Sequence, residues 1–374
     1  MPNLSQPASR KALIVSEYGA LNGGEFSFLT ALPKLQRAGF QFSAALPSDS
    51  GFADLLRGKN VSVIDFRFHD DDGTRKPQDQ IREELGRLIE TREPDIVHAN
   101  SLAASRILGP VSAQSSVIGL GYLRDIIKLS RKAIDDVAML DCIVAVSQAT
   151  ADFHAQRGMP AEKILVIHNG VDLERFRPAR ASRGSRQVVL CIGQIGIRKG
   201  LDLSLEMLAS VFQQVSHAEL WVVGQRHSQK AEAIEYEQQL KRFAAENFGG
   251  DRVKWLGRRS DIPDLMRQAT LLVHGAKQEP LGRVLLEAAA SGLPIVTTNV
   301  GGTPEILEGA EELMFPPSEF QNAATVAQRL LTDAEYHCDV SERLRLIAER
   351  KFAAKRSGEE LAETYIELCQ SRGR

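Results

Sequence analysis

Two glutamates in the segment from Glu279 to Leu307 stand where they could bind the hydroxyl groups of a ligand, beside a possible phosphate site. Glu279 lies just before a predicted helix, and Glu287 lies two turns inside it. A glycine turn at Ser291–Gly292 is expected to end the helix. Pro280 is expected to be the first helical residue, since proline is favoured at that position. An ionised carboxylate accepts hydrogen bonds only, so two of them suit a ligand rich in hydroxyls. Sugars and riboses are such ligands.

The start of this helix is also a predicted anion site. The backbone amides of Leu281, Gly282 and Arg283 are expected to face outward at the positive end of the helix dipole, where a phosphate is stabilised. Gly282 would let a ligand approach the backbone closely. Glutamates near a helix N-terminus are equally common on ordinary protein surfaces, so the pattern alone leaves both interpretations open.

A second candidate element runs from Leu190 to Leu203, where a strand leads into a glycine-containing loop and then a helix. Arg198 and Lys199 stand at the end of the loop. Cations there would neutralise a diphosphate, and their effect would grow as it departs, because the leaving group gains charge in the transition state.

The first segment resembles the E-x7-E signature of the retaining glycosyltransferases of family four, and the similarity extends over most of the chain. The resemblance implies a GT-B fold and a nucleoside diphosphate sugar as donor. It also implies that Glu279 contacts the transferred sugar and that Glu287 contacts the ribose of the nucleotide.

The Leu190–Leu203 block is similar to the G-R-x-x-x-x-K-G element of the same family, which implies that Lys199 clamps the diphosphate. This sequence has Gln194 where the family usually has arginine, and whether Arg198 replaces it stays open. Two further strand-to-loop turns resemble those around the nucleobase, with Gly224 and Arg258 as the expected lining.

In the N-terminal half, the stretch from Tyr18 to Phe26 resembles the family's glycine loop, which faces the donor diphosphate and sugar. Gly23 and Gly24 permit close backbone approach at a helix start, as they would in a plain tight turn. No G-x-G-x-x-G dinucleotide fingerprint is found here or after Ile192.

Acceptor-side candidates stand at the ends of two predicted strands of the N-terminal half, since ligands bind at the carboxyl ends of parallel strands. They are His98, Asn100, Tyr122 and Arg124. His98 is the candidate for proton transfer. Family members often carry histidine near Tyr122, so the route of the acceptor proton stays open.

The elements that must position these residues alternate between apolar runs and amphipathic stretches along the whole chain. This is typical of βαβ units and a parallel sheet. The pattern restarts after the polar stretch Pro178–Arg186, which predicts an acceptor-side domain over 1–180 and a nucleotide-sugar domain over 181–374. The expected fold class is α/β, GT-B, with two doubly wound Rossmann-like domains facing a central cleft, and the last helices are expected to cover the second sheet.

Composition limits the class of protein. The 374 residues are 43% hydrophobic and 25% charged with a net charge of −2, which fits a soluble globular protein and argues against nucleic acid as a partner. Four scattered cysteines without C-x-x-C spacing and the lack of a signal-like start predict a reducing, cytoplasmic location. The basic, partly apolar stretch Leu123–Ile134 suits either a solvated helix face or peripheral contact with the inner face of an anionic membrane.

These observations predict a retaining, metal-independent hexosyltransferase without a cofactor, which transfers sugar to a glycan or lipid-linked hydroxyl for polysaccharide biosynthesis. No aspartate pair has a supporting motif, and Asp70–Asp72 is expected to be a solvated turn. A nicotinamide-dependent oxidoreductase is disfavoured because the sequence lacks the glycine fingerprint of that class. A periplasmic sugar-binding protein is disfavoured because the sequence lacks the expected export signal. A GT-B-like sugar-nucleotide epimerase is the remaining alternative.

Overall fold

The computed structural model describes residues 10–179 and 187–373. The chain forms two compact units: the first unit contains the chain up to Gly170 and again from Ala354, and the second unit is Val171–Ala353. Most of the predicted linker, Pro178–Arg186, lies outside the described residues.

The first unit alternates strands and helices. Its strands are β1 (Arg10–Val15), β2 (Phe40–Leu46), β3 (Ser62–Asp65), β4 (Ile96–Ala99), β5 (Ile118–Leu123), β6 (Cys142–Ala145) and β7 (Ile164–Val166). The helices between them are α1 (Gly23–Arg37), α2 (Gly51–Arg57), α3 (Gln78–Arg92), α4 (Leu102–Ala113), α5 (Arg131–Ala138) and α6 (Gln148–Ala155).

All strand pairs of this sheet are parallel, in the order β3-β2-β1-β4-β5-β6-β7. The central strands are buried on both faces, which is why β4 and β5 are continuous apolar runs rather than alternating ones. The strand order reverses at β1 and β4, and the carboxyl ends of these two strands are therefore the expected ligand position in this unit.

The second unit repeats the plan. Its strands are β8 (Gln187–Ile192), β9 (Ala218–Val223), β10 (Val253–Gly257), β11 (Leu271–His274), β12 (Ile295–Thr298) and β13 (Met314–Phe315). Its helices are α7 (Leu201–Gln214), α8 (Ala231–Phe248), α9 (Ile262–Gln268), α10 (Arg283–Ala290), α11 (Thr303–Ile306), α12 (Ala323–Thr332) and α13 (Ala334–Lys351). The sheet order β10-β9-β8-β11-β12-β13 reverses at β8 and β11.

The predicted fold class, two doubly wound parallel-sheet domains of the Rossmann type, is confirmed. The assignment of all the terminal helices to the second domain is wrong in one respect. The last helix, α14 (Ala354–Ser371), packs on α1 of the first unit, where Lys34 Nζ lies 2.5 Å from Glu359 Oε1. Tyr365 of α14 is fully buried among the rings of Phe40 and Phe42, so burial of this apolar face fixes the helix to the first unit.

Candidate active site

The two candidate segments of the second unit meet at the point where its strand order reverses. The loop that carries Arg198 and Lys199 follows β8, and the loop that carries Glu279 follows the neighbouring strand β11. Both loops leave the carboxyl ends of their strands, which is the usual ligand position in a doubly wound sheet.

These two loops are tied together by their backbones. Gly200 has a φ of +56°, and a Cβ there would lie 1.8 Å from the carbonyl oxygen of Gly275. The Lys277 amide donates to the Arg198 carbonyl at 2.9 Å, and the Gly275 amide donates to Ser204 Oγ at 2.9 Å. The loops that carry Lys199 and Glu279 therefore hold each other in place through hydrogen bonds and close backbone packing.

Glu279 is a buried carboxylate with two nitrogen partners. Its exposed fraction is 5%, its Oε2 lies 2.5 Å from Lys199 Nζ, and the same oxygen lies 3.1 Å from His274 Nε2. Burial alone would raise the pKa of Glu279, but the charge of Lys199 and the hydrogen bond from His274 lower it to about 2. Glu279 is thus ionised at neutral pH, and Lys199 and His274 both bind the same oxygen, Oε2.

The second glutamate lies on α10, which begins three residues later than expected. The helix starts at Arg283 and not at Pro280, because Gly282, the residue directly before the helix, takes a non-helical, left-handed conformation with a φ of +106°. Glu287 Oε1 accepts from Arg283 one turn earlier, at 2.7 Å. Leu281 and Gly282 are buried as whole residues, so the expectation that their amides face outward is not met, and Arg283 is only half-buried.

The other donor-side candidates are partly assembled. Gln194, Lys199 and His274 line one pocket, together with Gly193. Gly224 has a φ of +134°, and a Cβ there would lie 1.8 Å from the Gly193 carbonyl oxygen, so glycine is required for the contact between these turns. Arg198 and Arg258 are exposed and are not among the residues lining that pocket.

In the first unit, Gly23 and Gly24 are the first residues of α1. A Cβ on Gly24 would lie 3.1 Å from Arg124 Cδ, so the close approach that was expected at this glycine is made by a side chain of the chain itself. The Asn22 amide donates to Glu25 Oε2 at 3.0 Å, which holds the start of the helix.

The structure brings Asn100, Tyr122 and Arg124 together. The guanidinium of Arg124 lies 3.9 Å from the centre of the Tyr122 ring and donates to Asn100 Oδ1 at 3.0 Å. It also donates to Asn169 Oδ1 at 3.2 Å. Burial raises the pKa of Tyr122 to about 12, which keeps its hydroxyl neutral.

The expectation that His98 transfers a proton is corrected. Its exposed fraction is 0%, its Nδ1 lies 2.6 Å from the Tyr365 hydroxyl, and its ring stacks on Tyr122. Burial, followed by the charge of Arg124, lowers the pKa of His98 well below its usual range. A completely buried histidine bonded to a core tyrosine is placed to stabilise the packing of α14 rather than to exchange a proton with an acceptor.

Sequence reasoning missed His274, which is buried beside Glu279. The signal for it was weak, since a histidine that ends an apolar strand reads as an ordinary core residue. Its position at the carboxyl end of β11, five residues before Glu279, could have selected it.

Among the residues that the structure describes there is no group of three or more histidine, cysteine, aspartate or glutamate side chains placed to hold a metal ion. None of the helices described is both long enough and apolar enough to cross a membrane.

Comparison with known proteins places both units in sequence families. The model "Glycosyltransferase Family 4" matches residues 21–175, and the model "Glycosyl transferases group 1" matches residues 172–347.

The sequences of known relatives align with this chain over only part of their length. Spore coat protein SA of Bacillus subtilis (strain 168) is 28% identical over 253 residues, which are 62% of this chain and 66% of that protein. The lipopolysaccharide glucosyltransferase WaaG of Escherichia coli (strain K12) is 32% identical over 215 residues, 53% of this chain and 55% of that protein. The matched region thus spans about half to two thirds of these relatives.

Solved structures match over nearly the whole chain. The Anabaena protein Alr3699/HepE, in complex with UDP and glucose, has a TM-score of 0.81 at 24% identity, covering 95% of this chain and 99% of that one. Sucrose-phosphate synthase of Thermosynechococcus elongatus has a TM-score of 0.77 at 19% identity, covering 97% and 100%. At these identities the likeness shows a shared fold.

Proposed function

From the premise that this chain belongs to the group 1 glycosyl transferases and has the GT-B fold, we propose that it transfers a sugar from a nucleoside diphosphate sugar to an acceptor hydroxyl on a glycan or lipid. The bond between the anomeric carbon and the diphosphate breaks, the acceptor oxygen bonds that carbon, and the acceptor hydroxyl gives up its proton.

One observation carries the proposal: a buried, ionised glutamate and a lysine meet at the strand-order reversal of the second unit. Glu279 and Lys199 are 2.5 Å apart on loops that are braced to each other. A carboxylate fixed there can accept hydrogen bonds from the hydroxyls of a transferred sugar. A lysine beside it can stabilise the charge that develops on a departing diphosphate.

The arrangement supports specific roles for the neighbouring residues. Glu287 would accept hydrogen bonds from the ribose, and Gly282 would let the diphosphate approach the start of α10. Arg198 would add a second cation from the exposed face of the loop, while Gln194, Gly224 and Arg258 would line the nucleotide. The proposed contacts of the sugar in the first unit are Gly23 and Gly24. The proposed contacts of the acceptor are Asn100, Tyr122 and Arg124.

We also propose that transfer retains the anomeric configuration and needs neither a metal ion nor another cofactor. The E-x7-E spacing of Glu279 and Glu287 supports retention, and the position of Lys199 supports charge neutralisation by side chains. Since solved neighbours contain UDP and UDP-glucose, UDP-glucose is the first donor to test.

Transfer is expected to continue in the presence of EDTA, because Lys199 and the α10 amides take the role that a divalent cation would have. Proton NMR of a reaction with donor and a panel of acceptor glycans checks both points at once. The expected product has the anomeric configuration of the donor. Loss of transfer in EDTA with recovery on adding magnesium would contradict metal independence, and an inverted product would contradict retention.

The same experiment without an acceptor separates the epimerase alternative. A transferase leaves the donor sugar unisomerised, whereas an epimerase changes the configuration of the sugar with no acceptor present. Isomerised donor in this reaction would identify an epimerase and contradict the proposed function.

A peripheral membrane contact is proposed for the surface of the loop between β5 and α5. Ile127 is 45% exposed, and Lys128, Arg131 and Lys132 are exposed around it, with Arg131 paired to Asp135 at 3.0 Å. An apolar side chain surrounded by cations suits an anionic lipid surface.

Lys128→Glu with Lys132→Glu is expected to lower binding to phosphatidylglycerol vesicles, measured by flotation, by about tenfold or more, since each basic residue near such a surface contributes roughly 1 kcal/mol. The matched control reverses two exposed charges elsewhere on the first unit, Lys59→Glu with Arg92→Glu. Equal loss in both double variants, or no binding by the wild type, would contradict a specific membrane surface.

A further inference from the structure

A cluster with no role so far follows the central strand of the first unit. β1 ends at Val15, where the strand order of this sheet reverses, and Ser16, Glu17 and Tyr18 come directly after it. Side chains at this point meet whatever ligand the unit binds, since the crevice at such a reversal is the usual binding position.

Tyr18 presents an aromatic ring at that point. The residue is 54% exposed, among the most exposed of the large hydrophobic residues described, and its ring stacks on His69 with centroids 5.6 Å apart and planes inclined by 27°. Ser16 Oγ donates to the Tyr18 carbonyl at 3.1 Å, which fixes the backbone beneath the ring. The ring therefore presents an ordered, accessible face at the carboxyl end of β1.

His69 is held in place by a hairpin. Phe68, one residue before it, is completely buried, and Lys76 donates its amide to the Phe68 carbonyl at 2.9 Å. The tip contains the predicted turn Asp70–Asp72, closed by the Gly73 amide on the Asp70 carbonyl at 2.9 Å. The aromatic pair is therefore anchored on both sides, by β1 and by this hairpin.

Polar groups border the ring. Glu17 is only 5% exposed and accepts from Arg75 at 2.7 Å, while His69 Nε2 lies 3.9 Å from the same carboxylate oxygen. The side chain of Arg75 remains 41% exposed, so part of its guanidinium faces water. Burial, and then the charge of Glu17, raise the pKa of Tyr18, so its hydroxyl stays a neutral donor and acceptor.

We propose that Tyr18 and His69 form an aromatic platform that binds a sugar ring of the acceptor, with Arg75 donating to the hydroxyls of that ring. The proposal rests on the proposed function and names the acceptor class as a glycan that contains a pyranose ring. A pyranose has one face of C–H groups, which packs on an aromatic ring, and an edge of hydroxyls, which bind charged and polar side chains.

An anionic ligand is the competing occupant, since Arg75 and His69 both donate. Glu17 argues against it, because its carboxylate already neutralises Arg75 and repels a second anion. A neutral ring with hydroxyls meets no such repulsion.

The test uses saturation-transfer NMR of the full chain with UDP and with methyl glycosides of glucose, galactose and mannose as probes. At least one glycoside is expected to bind with its C–H face saturated most strongly. Tyr18→Ala is expected to weaken that binding by about tenfold, and Tyr18→Phe is expected to retain it because the ring is kept. The matched control is Tyr336→Ala in the second unit, a half-buried tyrosine whose ring is covered by Arg329 at 4.0 Å.

Three outcomes would overturn the platform: no glycoside binds the wild type, binding survives in Tyr18→Ala, or inorganic phosphate displaces the glycoside at equal concentration. UDP binding is followed in the same samples. Normal UDP binding with no glycoside bound to Tyr18 rejects the platform alone. If UDP does not bind, GDP and ADP are added to the same samples, and the absence of binding by all three rejects the proposed function.

Discussion

Replacing Lys199 with methionine is expected to destabilise the second unit by roughly 3 to 5 kcal/mol, because the change leaves the buried carboxylate of Glu279 without its cation. Glu279 is 5% exposed and lies 2.5 Å from Lys199 Nζ, so water replaces the lost partner only in part. His274 keeps its hydrogen bond at 3.1 Å and offsets only part of the loss.

The measurement is selective for this unit. Both tryptophans of the chain, Trp221 and Trp255, lie in the second unit, so their fluorescence during urea unfolding follows that unit alone. The control is Lys277→Met, which breaks the more exposed pair with Asp202 at 2.6 Å and is expected to cost no more than about 1 kcal/mol. A Lys199→Met variant as stable as the wild type would show that the pair is not buried as described.

The double variant Lys199→Met with Glu279→Gln is expected to recover most of the lost stability, since removing both charges removes the unpaired one.

The pH dependence of stability is expected to show the same pair. The pKa of Glu279 is lowered from 4.5 to about 2 on folding, so its stabilising effect is complete above about pH 4.5 and is lost as the pH falls toward 2. In the double variant this part of the acid loss should be absent, and a persisting loss of the same size would assign it to other groups.

Glu287→Ala and Glu279→Gln are expected to separate nucleotide binding from transfer. If Glu287 binds the ribose, its loss weakens both the free nucleoside diphosphate and the whole donor by about tenfold to a hundredfold, since a charge-assisted hydrogen bond contributes roughly 1.5 to 3 kcal/mol. If Glu279 contacts only the transferred sugar, Glu279→Gln leaves nucleoside diphosphate binding nearly intact and lowers kcat/KM by about a hundredfold or more.

Calorimetric titration and initial rates measure the two effects on the same preparations, with tryptophan fluorescence as the check on folding. Glu287 is paired with Arg283 at 2.7 Å, so Arg283→Ala serves as a control that frees Glu287 without removing it. Equal losses of nucleoside diphosphate affinity in the two glutamate variants, both well folded, would contradict the assigned roles. Undiminished transfer in both would remove the chemical basis of the proposed function.

The parallel-sheet architecture could be predicted from the sequence because burial on both faces leaves a strong pattern. Apolar runs such as Ile96–Ala99 and Ile295–Thr298 separate amphipathic stretches, and this alternation has few solutions other than βαβ units. The contact between Lys199 and Glu279 was not predicted, although both residues were expected in loops that follow strands of the same domain.

Other features depend on tertiary packing contacts, which the hydrophobic pattern of the sequence does not specify. The amphipathic face of α14 predicts that the helix is buried but not on which unit, and only the fit of Tyr365 beside Phe40 and His98 decides it. For the same reason His98 read as a strand-end side chain open to substrate. The start of α10 was misplaced because Pro280 suits a first helical position while the left-handed Gly282 delays the helix to Arg283.

The most direct test of the donor site is calorimetric titration of UDP, GDP and ADP, in EDTA, into the wild type and into the double variant Lys199→Met with Glu279→Gln. One nucleoside diphosphate is expected to bind the wild type, and the double variant, folded by tryptophan fluorescence, is expected to bind it at least about tenfold more weakly, since it lacks the cation that holds the diphosphate. Wild-type affinity in the folded double variant, or no binding of any of the three by the wild type, would contradict a donor site at Lys199 and Glu279.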